Sequence, residues 1–432
     1  MRQGTWRNWA GDQSCRPAEV VRPRDRDELA AAVARAAEAG RKISVAGSGH
    51  SFTGAPMTGG TMIHVEALGG VIDADPSFGL VKVGGGTVLA DLNEELAALG
   101  LAMENLGDID RQTIAGAIST GTHGTGAKLR NISAQVEAIE LVLADGGVRE
   151  LTGADPGLLR AARVGVGALG AISAVTLRCV PAFTLHRVDT SLPRDEVLDT
   201  FDERADANEH FELFTFPFAD SALVLERNRT DAPPRPRGPA TGFLNDIVLE
   251  NWALGAISAT GRVLPRAIPA LARLAARLAS GGRATDRSDR IFASERRVRF
   301  TEMEYGVPRE HGPEAARRVI EWVRANRYPV FFPIEMRVTA ADDALLSPSH
   351  ERDTAYIAVH QYRGMEWRPY FEAVEAIMDD YAGRPHWGKR HFQTAETLAP
   401  RYPAWADFQA ARDALDPTRT FTNDYAQRVL GS

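Results

Sequence analysis

A loop in the first eighth of the chain carries residue types that could hold an anion. It follows a short apolar run and reads A-G-S-G-H-S-F over residues 46–52. Two glycines two positions apart let backbone N–H groups approach a phosphate without interference from a Cβ atom. Two serines add hydroxyl donors, and a histidine places an imidazole at the tip, where a turn histidine without a function is the alternative. The candidate residues of this cradle are Val45, Ala46, Gly47, Ser48, Gly49, His50 and Ser51.

A second tract of small residues reads I-A-G-A-I-S-T-G-T-H-G-T-G over residues 114–126. A backbone with so few bulky side chains can lie flush against a large flat ligand. Threonine and serine hydroxyls are spaced along it as hydrogen-bond donors. A glycine-rich surface loop is the alternative, but Ala115, Ala117 and Ile118 make the tract too apolar for that.

Two alternating segments in the C-terminal half place polar residues on one side of a strand. Residues 331–339 read F-F-P-I-E-M-R-V-T, so Glu335 and Arg337 face one way and apolar residues face the other. Residues 356–362 read Y-I-A-V-H-Q-Y and put His360 and Tyr362 on one side. The alternatives are a cross-strand ion pair on a wet face and a core histidine bonded to a backbone carbonyl.

A short loop over residues 385–391, P-H-W-G-K-R-H, gathers His386, His391 and Lys389. No carboxylate or cysteine lies at ligand spacing in this loop, and the chain has no H-E-x-x-H motif. We therefore predict no metal site.

Residues 165–170 match the pattern G-x-G-x-x-G. A dinucleotide-binding fingerprint needs a strand before this pattern and a helix after it. Here a helical pattern precedes it and a β-branched run follows. We therefore expect this tract to close a strand against its neighbours.

The elements around these motifs alternate between strands and helices at short spacing. Residues 25–40 form a helix candidate with an acidic start and a terminal glycine. Further strands are predicted at residues 43–45, 62–65, 80–83, 136–144, 148–151 and 172–180, with a helix at 89–99. Pro181 marks a boundary, beyond which aromatic residues and arginines become more frequent. The length predicts a protein of more than one domain.

Composition restricts the classes of partner and compartment. The 432 residues carry a net charge of −7, so no basic field attracts nucleic acid. The two cysteines lack the spacing of a metal site or a disulfide scaffold, which fits a reducing cytoplasm. No signal peptide or transmembrane run is recognisable. Residues 263–277 form an amphipathic pattern that favours a helix packed on its own domain, with contact to a bilayer surface as the alternative.

Four motifs in this order resemble the vanillyl-alcohol-oxidase family of flavoproteins, and within it the branch of sugar-1,4-lactone and alditol oxidases. They are G-S-G-H-S-F at residues 47–52, I-S-T-G-T-H-G-T-G at 118–126, E-x-R at 335–337 and H-W-G-K at 386–389. The resemblance implies an α+β fold, with a two-lobed FAD-binding domain over residues 1–180 and a cap domain with an antiparallel sheet over residues 181–395. Residues 396–432 would return to the FAD domain.

The resemblance also implies roles for individual residues. His50 would be the covalent attachment point of the flavin, and residues 45–51 would cradle the pyrophosphate. Gly107 would lie at the position where, in the family, a glycine allows oxygen to reach the flavin. Further positions that match cofactor contacts are Asp108, Thr113, Gly116, Thr120, Gly121, Thr122, His123, Ile172 and His386.

The implied reaction is oxidation of a sugar-1,4-lactone of the L-gulono-1,4-lactone type, by hydride transfer to flavin N5. Electrons would pass to oxygen or another acceptor. Arg337 and Lys389 would stabilise developing alkoxide character, and Glu335 would orient Arg337 and accept a substrate hydroxyl. His360 is the first candidate for the base; Lys389 is the second, on the expectation that burial beside Arg337 lowers its pKa.

Two substitutions separate this chain from the alditol oxidases of the branch. Asp108 puts a carboxylate where a polyol contact is expected, and Tyr362 replaces a smaller hydroxyl residue. Both are expected to contact substrate together with Glu335 and Arg337. An alditol oxidase that forms an aldose and hydrogen peroxide is the alternative enzyme, and a flavin-binding protein without turnover is the alternative of another class.

Overall fold

The computed structural model describes residues 4–235, 260–278, 282–293 and 298–432. Part of the predicted cap range therefore lies outside the described residues. The strands are β1 (Trp6–Arg7), β2 (Ser14–Cys15), β3 (Glu19–Val21), β4 (Ile43–Ala46), β5 (Thr61–His64), β6 (Val71–Asp75), β7 (Leu80–Gly84), β8 (Leu101–Ala102), β9 (Val136–Val142), β10 (Val148–Leu151), β11 (Ala171–Arg178), β12 (Val180–Pro181), β13 (Thr184–Pro193), β14 (His210–Thr215), β15 (Ser221–Thr230), β16 (Gly282–Arg287), β17 (Phe300–Pro308), β18 (Ile334–Thr339), β19 (Thr354–Tyr362) and β20 (Arg384–Pro385).

Helices connect and cover these strands, which confirms the predicted α+β class. The α-helices are α1 (Arg26–Glu38), α2 (Leu89–Ala98), α3 (Ile114–Ser119), α4 (Pro156–Arg163), α5 (Arg194–Asp199), α6 (Phe201–Ala207), α7 (Ile268–Leu278), α8 (Ser288–Phe292), α9 (Gly312–Ala325), α10 (Arg368–Asp379), α11 (Ala395–Leu398), α12 (Trp405–Leu415) and α13 (Asp424–Leu430). Short 3-10 helices lie at Ile132–Gln135, Pro265–Ala267, Arg309–His311 and Ala399–Arg401.

Two small sheets form the N-terminal part. A parallel sheet has the order β3–β5–β4, and α1 connects its two outer strands. Asp25 caps α1 by accepting a hydrogen bond from the Glu28 N–H, which satisfies one of the free donors of the first turn. An antiparallel sheet has the order β10–β9–β11–β7–β6. The G-x-G-x-x-G tract lies between α4 and β11, as the sequence predicts.

A third sheet of eight antiparallel strands has the order β16–β13–β15–β14–β18–β19–β17–β20. This arrangement confirms the predicted antiparallel sheet. Alternate residues of its central strands pack with α9 and α10 in one apolar core. The opposite residues of the same strands therefore face away from these helices. The core residues from three of these strands are Met303, Tyr305, Val307, Ile334, Met336, Val338, Ala355, Ile357 and Val359.

The C-terminal helices pack against the N-terminal part. Phe408 and Leu415 of α12 and Val429 of α13 are buried in the same apolar cluster as Ile139 and Leu159. Phe421 joins the core that contains Leu29 of α1. The chain end therefore stabilises the first two sheets, whereas the domain boundaries at residues 180 and 395 stay predictions.

The amphipathic helix α7 packs on its own domain through one face. Ile268 and Ala272 are fully buried against Phe331, whereas Leu274 is exposed. Bilayer contact stays a prediction. In the described part of the chain, no helix is both long and apolar enough to cross a membrane.

Candidate active site

The predicted cradle opens on a cavity that lies between the two N-terminal sheets. Strand β4 delivers the loop to it, and α3 closes the opposite wall. The structure brings most of the predicted cofactor residues together here. Those that line the cavity are Val45, Gly47, Ser48, Gly49, His50, Ser51, Thr113, Gly116, Thr120 and Ile172.

The loop packs closely against Thr113, the residue that begins α3. A Cβ atom on Gly47 would lie 2.2 Å from Thr113 Oγ1, so only glycine fits there. Thr113 caps α3 by accepting a hydrogen bond from the Gly116 N–H at 3.2 Å. The first half of the small-residue tract is thus a helix. Gly49 has φ +71°, a conformation that favours glycine.

His50 lies at the cavity edge and stacks on Trp9, with 5.6 Å between ring centroids. Burial and the nearby cations Lys389 and Arg111 lower the pKa of His50 to about 4. At neutral pH the imidazole is therefore uncharged, and one ring nitrogen keeps a lone pair. The Phe52 N–H donates to the Gly388 carbonyl at 2.8 Å, which ties this loop to the loop that carries Lys389.

The remaining predicted cofactor residues lie outside the cavity lining. Ala46 is buried at the end of β4, and Gly121 makes a turn with φ +71° beside Trp387. A Cβ atom on Gly107 would lie 3.2 Å from the His123 carbonyl oxygen. Thr122 accepts a hydrogen bond from the side chain of Gln112, which itself lines the cavity. Asp108, His123 and His386 belong to the polar face of the large sheet.

That face carries a row of ionisable side chains that are almost completely buried. The alternation predicted for β18 is confirmed, since Glu335 and Arg337 lie opposite its apolar residues. They are only 4% and 8% exposed, so the alternative of a wet face is wrong. Strand register places Ala358 beside Glu335 and His360 beside Glu302. The buried ionisable residues of this face include His210, Glu212, Arg227, Glu302, Glu304, Glu335, Arg337 and His360.

Arg337 lies among three carboxyl groups. Its Nε and Nη2 donate to Glu212 Oε1 at 2.9 and 2.8 Å. Nη2 also lies 3.4 Å from Asp108 Oδ1 and contacts Glu335 Oε1. Burial lowers the pKa of Arg337, but these carboxyl groups outweigh it and raise the net value, so the guanidinium stays charged.

Lys389 contacts the same face through Glu302. Its Nζ lies 2.5 Å from Glu302 Oε2, and Glu302 Oε1 lies 3.4 Å from His360 Nε2. Burial lowers the pKa of Lys389, but Glu302 and Glu304 outweigh burial and raise it. The expectation of a lowered pKa was therefore wrong, because the sequence did not reveal these two carboxylates.

His360 has acceptor oxygens at both ring nitrogens. Nδ1 lies 3.4 Å from the Pro333 carbonyl oxygen, as in the core-histidine alternative. Nε2 faces Glu302, so a proton on His360 can be shared with that carboxylate. The base role of His360 stays a prediction.

His123, Glu304 and His386 form a second buried group on this face. His123 Nδ1 hydrogen-bonds the Gly124 carbonyl at 2.8 Å, and Nε2 lies 3.2 Å from Glu304 Oε1. Burial lowers the pKa of His386 to about 3 against the attraction of Glu304. Each of the three side chains offers one nitrogen or oxygen atom that could bind a metal ion, and these atoms lie within 4.8 Å of one another. The sequence predicts no metal site here. His123 and Glu304 lie close together because they contact each other directly.

Tyr362 lies apart from the Arg337 group. It packs on the aromatic cluster of Phe52, Phe300 and Phe332 near the end of β19. Tyr362 lies four residues along β19 from Ala358, which is the neighbour of Glu335 on the adjacent strand. Four residues of a strand span roughly 13 Å. The predicted contact of Tyr362 with substrate therefore stays a prediction.

Sequence reasoning missed several residues of the site. Glu302 and Glu304 alternate with apolar residues in β17, and Glu212 interrupts the apolar strand β14. A charged residue inside such a strand was the available signal. Val166, Gly167 and Gly170 of the G-x-G-x-x-G tract also line the cavity, although the tract has no dinucleotide-binding context.

Comparisons with known proteins agree on the family. The sequence profile described as D-arabinono-1,4-lactone oxidase matches residues 175–429, and the profile described as FAD binding domain matches residues 17–152. L-gulono-1,4-lactone dehydrogenase of Mycobacterium tuberculosis is 51% identical, over 99% of both chains. L-gulonolactone oxidase of Mus musculus is 33% identical and alditol oxidase of a Streptomyces species 32% identical, each over 98% of both chains. The branch predicted from the four motifs is confirmed.

Solved structures confirm the fold. A solvent-stable cholesterol oxidase superposes with a TM-score of 0.84 at 20% identity, covering 99% of this chain and 97% of that chain. Cholesterol oxidase from B. sterolicum gives a TM-score of 0.78 at 18% identity, covering 99% and 96%. At such low identity the likeness extends to the architecture alone.

Proposed function

The chain belongs to the D-arabinono-1,4-lactone oxidase family of FAD-dependent oxidoreductases, and on that premise we propose that it oxidises a secondary alcohol of a sugar-1,4-lactone. L-gulono-1,4-lactone is the first candidate substrate, because the 51% identical relative bears that name. The observation that carries the proposal is the row of buried ionisable residues around Arg337, one loop away from the FAD cradle.

The cavity has the features that FAD requires. Gly47 brings the loop backbone against Thr113 without a side chain, and the hydroxyls of Ser48, Ser51 and Thr120 line the same space. Backbone N–H groups and hydroxyls at residues 47–51 would hold the pyrophosphate. FAD, when bound, supplies the acceptor for the hydride that leaves the substrate C–H bond.

The charged face suits a small polyhydroxylated substrate. Arg337 would stabilise negative charge that develops on the oxygen of the reacting carbon. Lys389 remains protonated beside Glu302, so it would donate to a second substrate oxygen. Asp108, next to Arg337, would accept a hydrogen bond from a substrate hydroxyl. His360 would take up the hydroxyl proton and share it with Glu302.

The proposal includes covalent attachment of the flavin through His50. An uncharged imidazole with a free nitrogen lone pair has the nucleophilic form that attachment needs. The stack on Trp9 holds the ring in one orientation. We also propose a reducing, cytoplasmic location, which the two unpaired cysteines Cys15 and Cys179 support.

Gly107 bears on the electron acceptor. A Cβ atom there would lie within 3.2 Å of the His123 carbonyl oxygen, so a side chain would fill this space. Glycine therefore permits oxygen to reach this part of the site. Oxygen and another electron acceptor both stay open as oxidants.

The experiment is a substrate panel applied to purified holoprotein without oxygen. L-gulono-1,4-lactone and related aldonolactones should bleach the visible flavin absorbance, and admission of air then measures how fast oxygen restores it. Bleaching by xylitol or sorbitol but by no lactone would instead establish the alditol oxidase alternative. A protein with bound flavin that no lactone or alditol reduces would overturn both enzyme functions.

A further inference from the structure

Glu212 contacts both arginines of the buried face. One carboxyl oxygen accepts from Arg337 Nε and Nη2 at 2.9 and 2.8 Å, and the other accepts from Arg227 Nη2 at 2.8 Å. Glu212 is 2% exposed and Arg227 is 5% exposed. The two guanidinium groups take three of the roughly four acceptor positions of this carboxylate. It fixes the plane in which the Arg337 guanidinium lies.

Glu335 is the second carboxyl group at Arg337, since Arg337 Nη2 contacts both Glu335 Oε1 and Glu212 Oε1. Two ionised carboxylates held at one guanidinium nitrogen repel each other, and a proton on one of them removes that repulsion. Among the described residues, Glu212 has two arginine partners and Glu335 has one. The proton therefore belongs to Glu335.

The charges around the pair agree with this assignment. Arg337 and Arg227 supply two positive charges, and Glu212 and Asp108 supply two negative charges. An ionised Glu335 would leave one buried negative charge in excess, which a desolvated site disfavours. Burial raises the pKa of Glu335 and Arg337 lowers it, but burial together with the repulsion of Glu212 and Asp108 keeps the pKa raised.

We propose that Glu212, held by Arg227, is a positioning residue that fixes Arg337 and accepts a hydrogen bond from a protonated Glu335. This inference rests on the proposed function and deepens it. The single O–H of Glu335 is then directed at Glu212, so Glu335 can accept but not donate a hydrogen bond toward substrate, as in the accepting role that the sequence suggested. It is excluded as the acceptor of the substrate proton, which leaves that task to the Glu302, His360 and Lys389 group.

The first test is the pH dependence of flavin reduction in Glu212→Gln. Without the negative charge of residue 212, the pKa of Glu335 falls, because Arg337 now attracts one carboxylate alone. We expect the pH above which the rate of flavin reduction falls to be lower by at least about one unit than in wild type. Glu226→Gln is the matched control, since Glu226 lies on the adjacent strand, pairs with Arg204 and faces away from the site.

The double variant Glu212→Gln with Glu335→Gln separates positioning from general damage. A glutamine at position 335 cannot ionise, so the double variant should lack the alkaline shift of the single variant. A Glu212→Gln profile that falls by one factor at every pH, parallel to wild type, would overturn the proposal and leave Glu212 a structural role.

An infrared readout needs no substrate. The wild-type holoprotein minus Glu335→Gln difference spectrum at pH 8 should contain the carbonyl band of a protonated carboxylic acid, and the band should be lost in a Glu212→Gln background. A carboxylate band in its place would contradict the assignment of the proton. Failure of every lactone to reduce the flavin would reject the proposed function while this band still decides the state of Glu335.

Discussion

Replacement of Arg337 by methionine measures how much the buried charge cluster contributes to the free energy of unfolding. Burial raises the pKa of Glu212, but Arg337 and Arg227 outweigh it and lower the value from 4.5 to about 2. That displacement corresponds to about 3 kcal/mol of stability at neutral pH. Removal of one partner from a buried ion pair typically costs about 3 to 5 kcal/mol. We expect Arg337→Met to lower the free energy of unfolding by about 2 to 4 kcal/mol.

The assay is urea denaturation of the FAD-loaded protein at pH 7, with Arg229→Met as the control. Arg229 lies on the same strand as Arg227 and pairs with Glu209 at 2.7 Å, but its side chain is 43% exposed. An exposed pair contributes about 0 to 1 kcal/mol, so the control should lose little stability. Equal losses in the two variants would refute the energetic role of the buried cluster.

Two further comparisons test the electrostatic origin of the loss. Because the pKa of Glu212 is depressed, its contribution is complete above 4.5 and declines as the pH falls toward 2. The difference between wild type and Arg337→Met should therefore be smaller at pH 3 than at pH 7. Arg337→Met combined with Glu212→Gln should cost less than the sum of the two single losses. Strict additivity would show that the two side chains are not coupled.

Three other predictions address the cofactor and the second cation. His50→Ala should yield flavin that acid precipitation releases into the supernatant; flavin that stays with the pellet would refute the attachment site. Gly47→Ala should abolish FAD binding, measured by flavin absorbance after gel filtration, because its Cβ would lie 2.2 Å from the Thr113 side chain. The control Gly59→Ala should bind FAD normally, because a Cβ at that position has nothing within 4 Å. Lys389→Met should slow flavin reduction about 100-fold or more, since it removes a charged donor and leaves Glu302 without its nearest cation; an unchanged stopped-flow rate would remove Lys389 from the mechanism.

Local patterns in the sequence predicted the parts of the site that depend on one segment. The A-G-S-G-H-S-F loop lines the cavity, because its glycines permit a backbone approach that no other residue allows. The alternation of β18 correctly separated Glu335 and Arg337 from the apolar face. Both are properties of consecutive residues, which a single sequence contains directly.

The electrostatics of the site could not be predicted, because they depend on strand register. Glu212 reaches Arg337 only because β14 pairs with β18, and Glu302 reaches His360 only because β17 pairs with β19. These partners are separated by many residues in the chain. The sequence therefore suggested a lowered pKa for Lys389, whereas the carboxylates that register brings near it raise that pKa.

The most direct test of the central claim compares anaerobic stopped-flow reduction by L-gulono-1,4-lactone in wild type and Arg337→Met. The lactone should bleach the wild-type flavin, and the variant should react about 100-fold to 1,000-fold more slowly, as for loss of one charge-stabilising donor. Equal rates in the two proteins would contradict the assignment of the buried face as the substrate site. A wild-type flavin that xylitol bleaches and the lactone does not would contradict the lactone specificity itself.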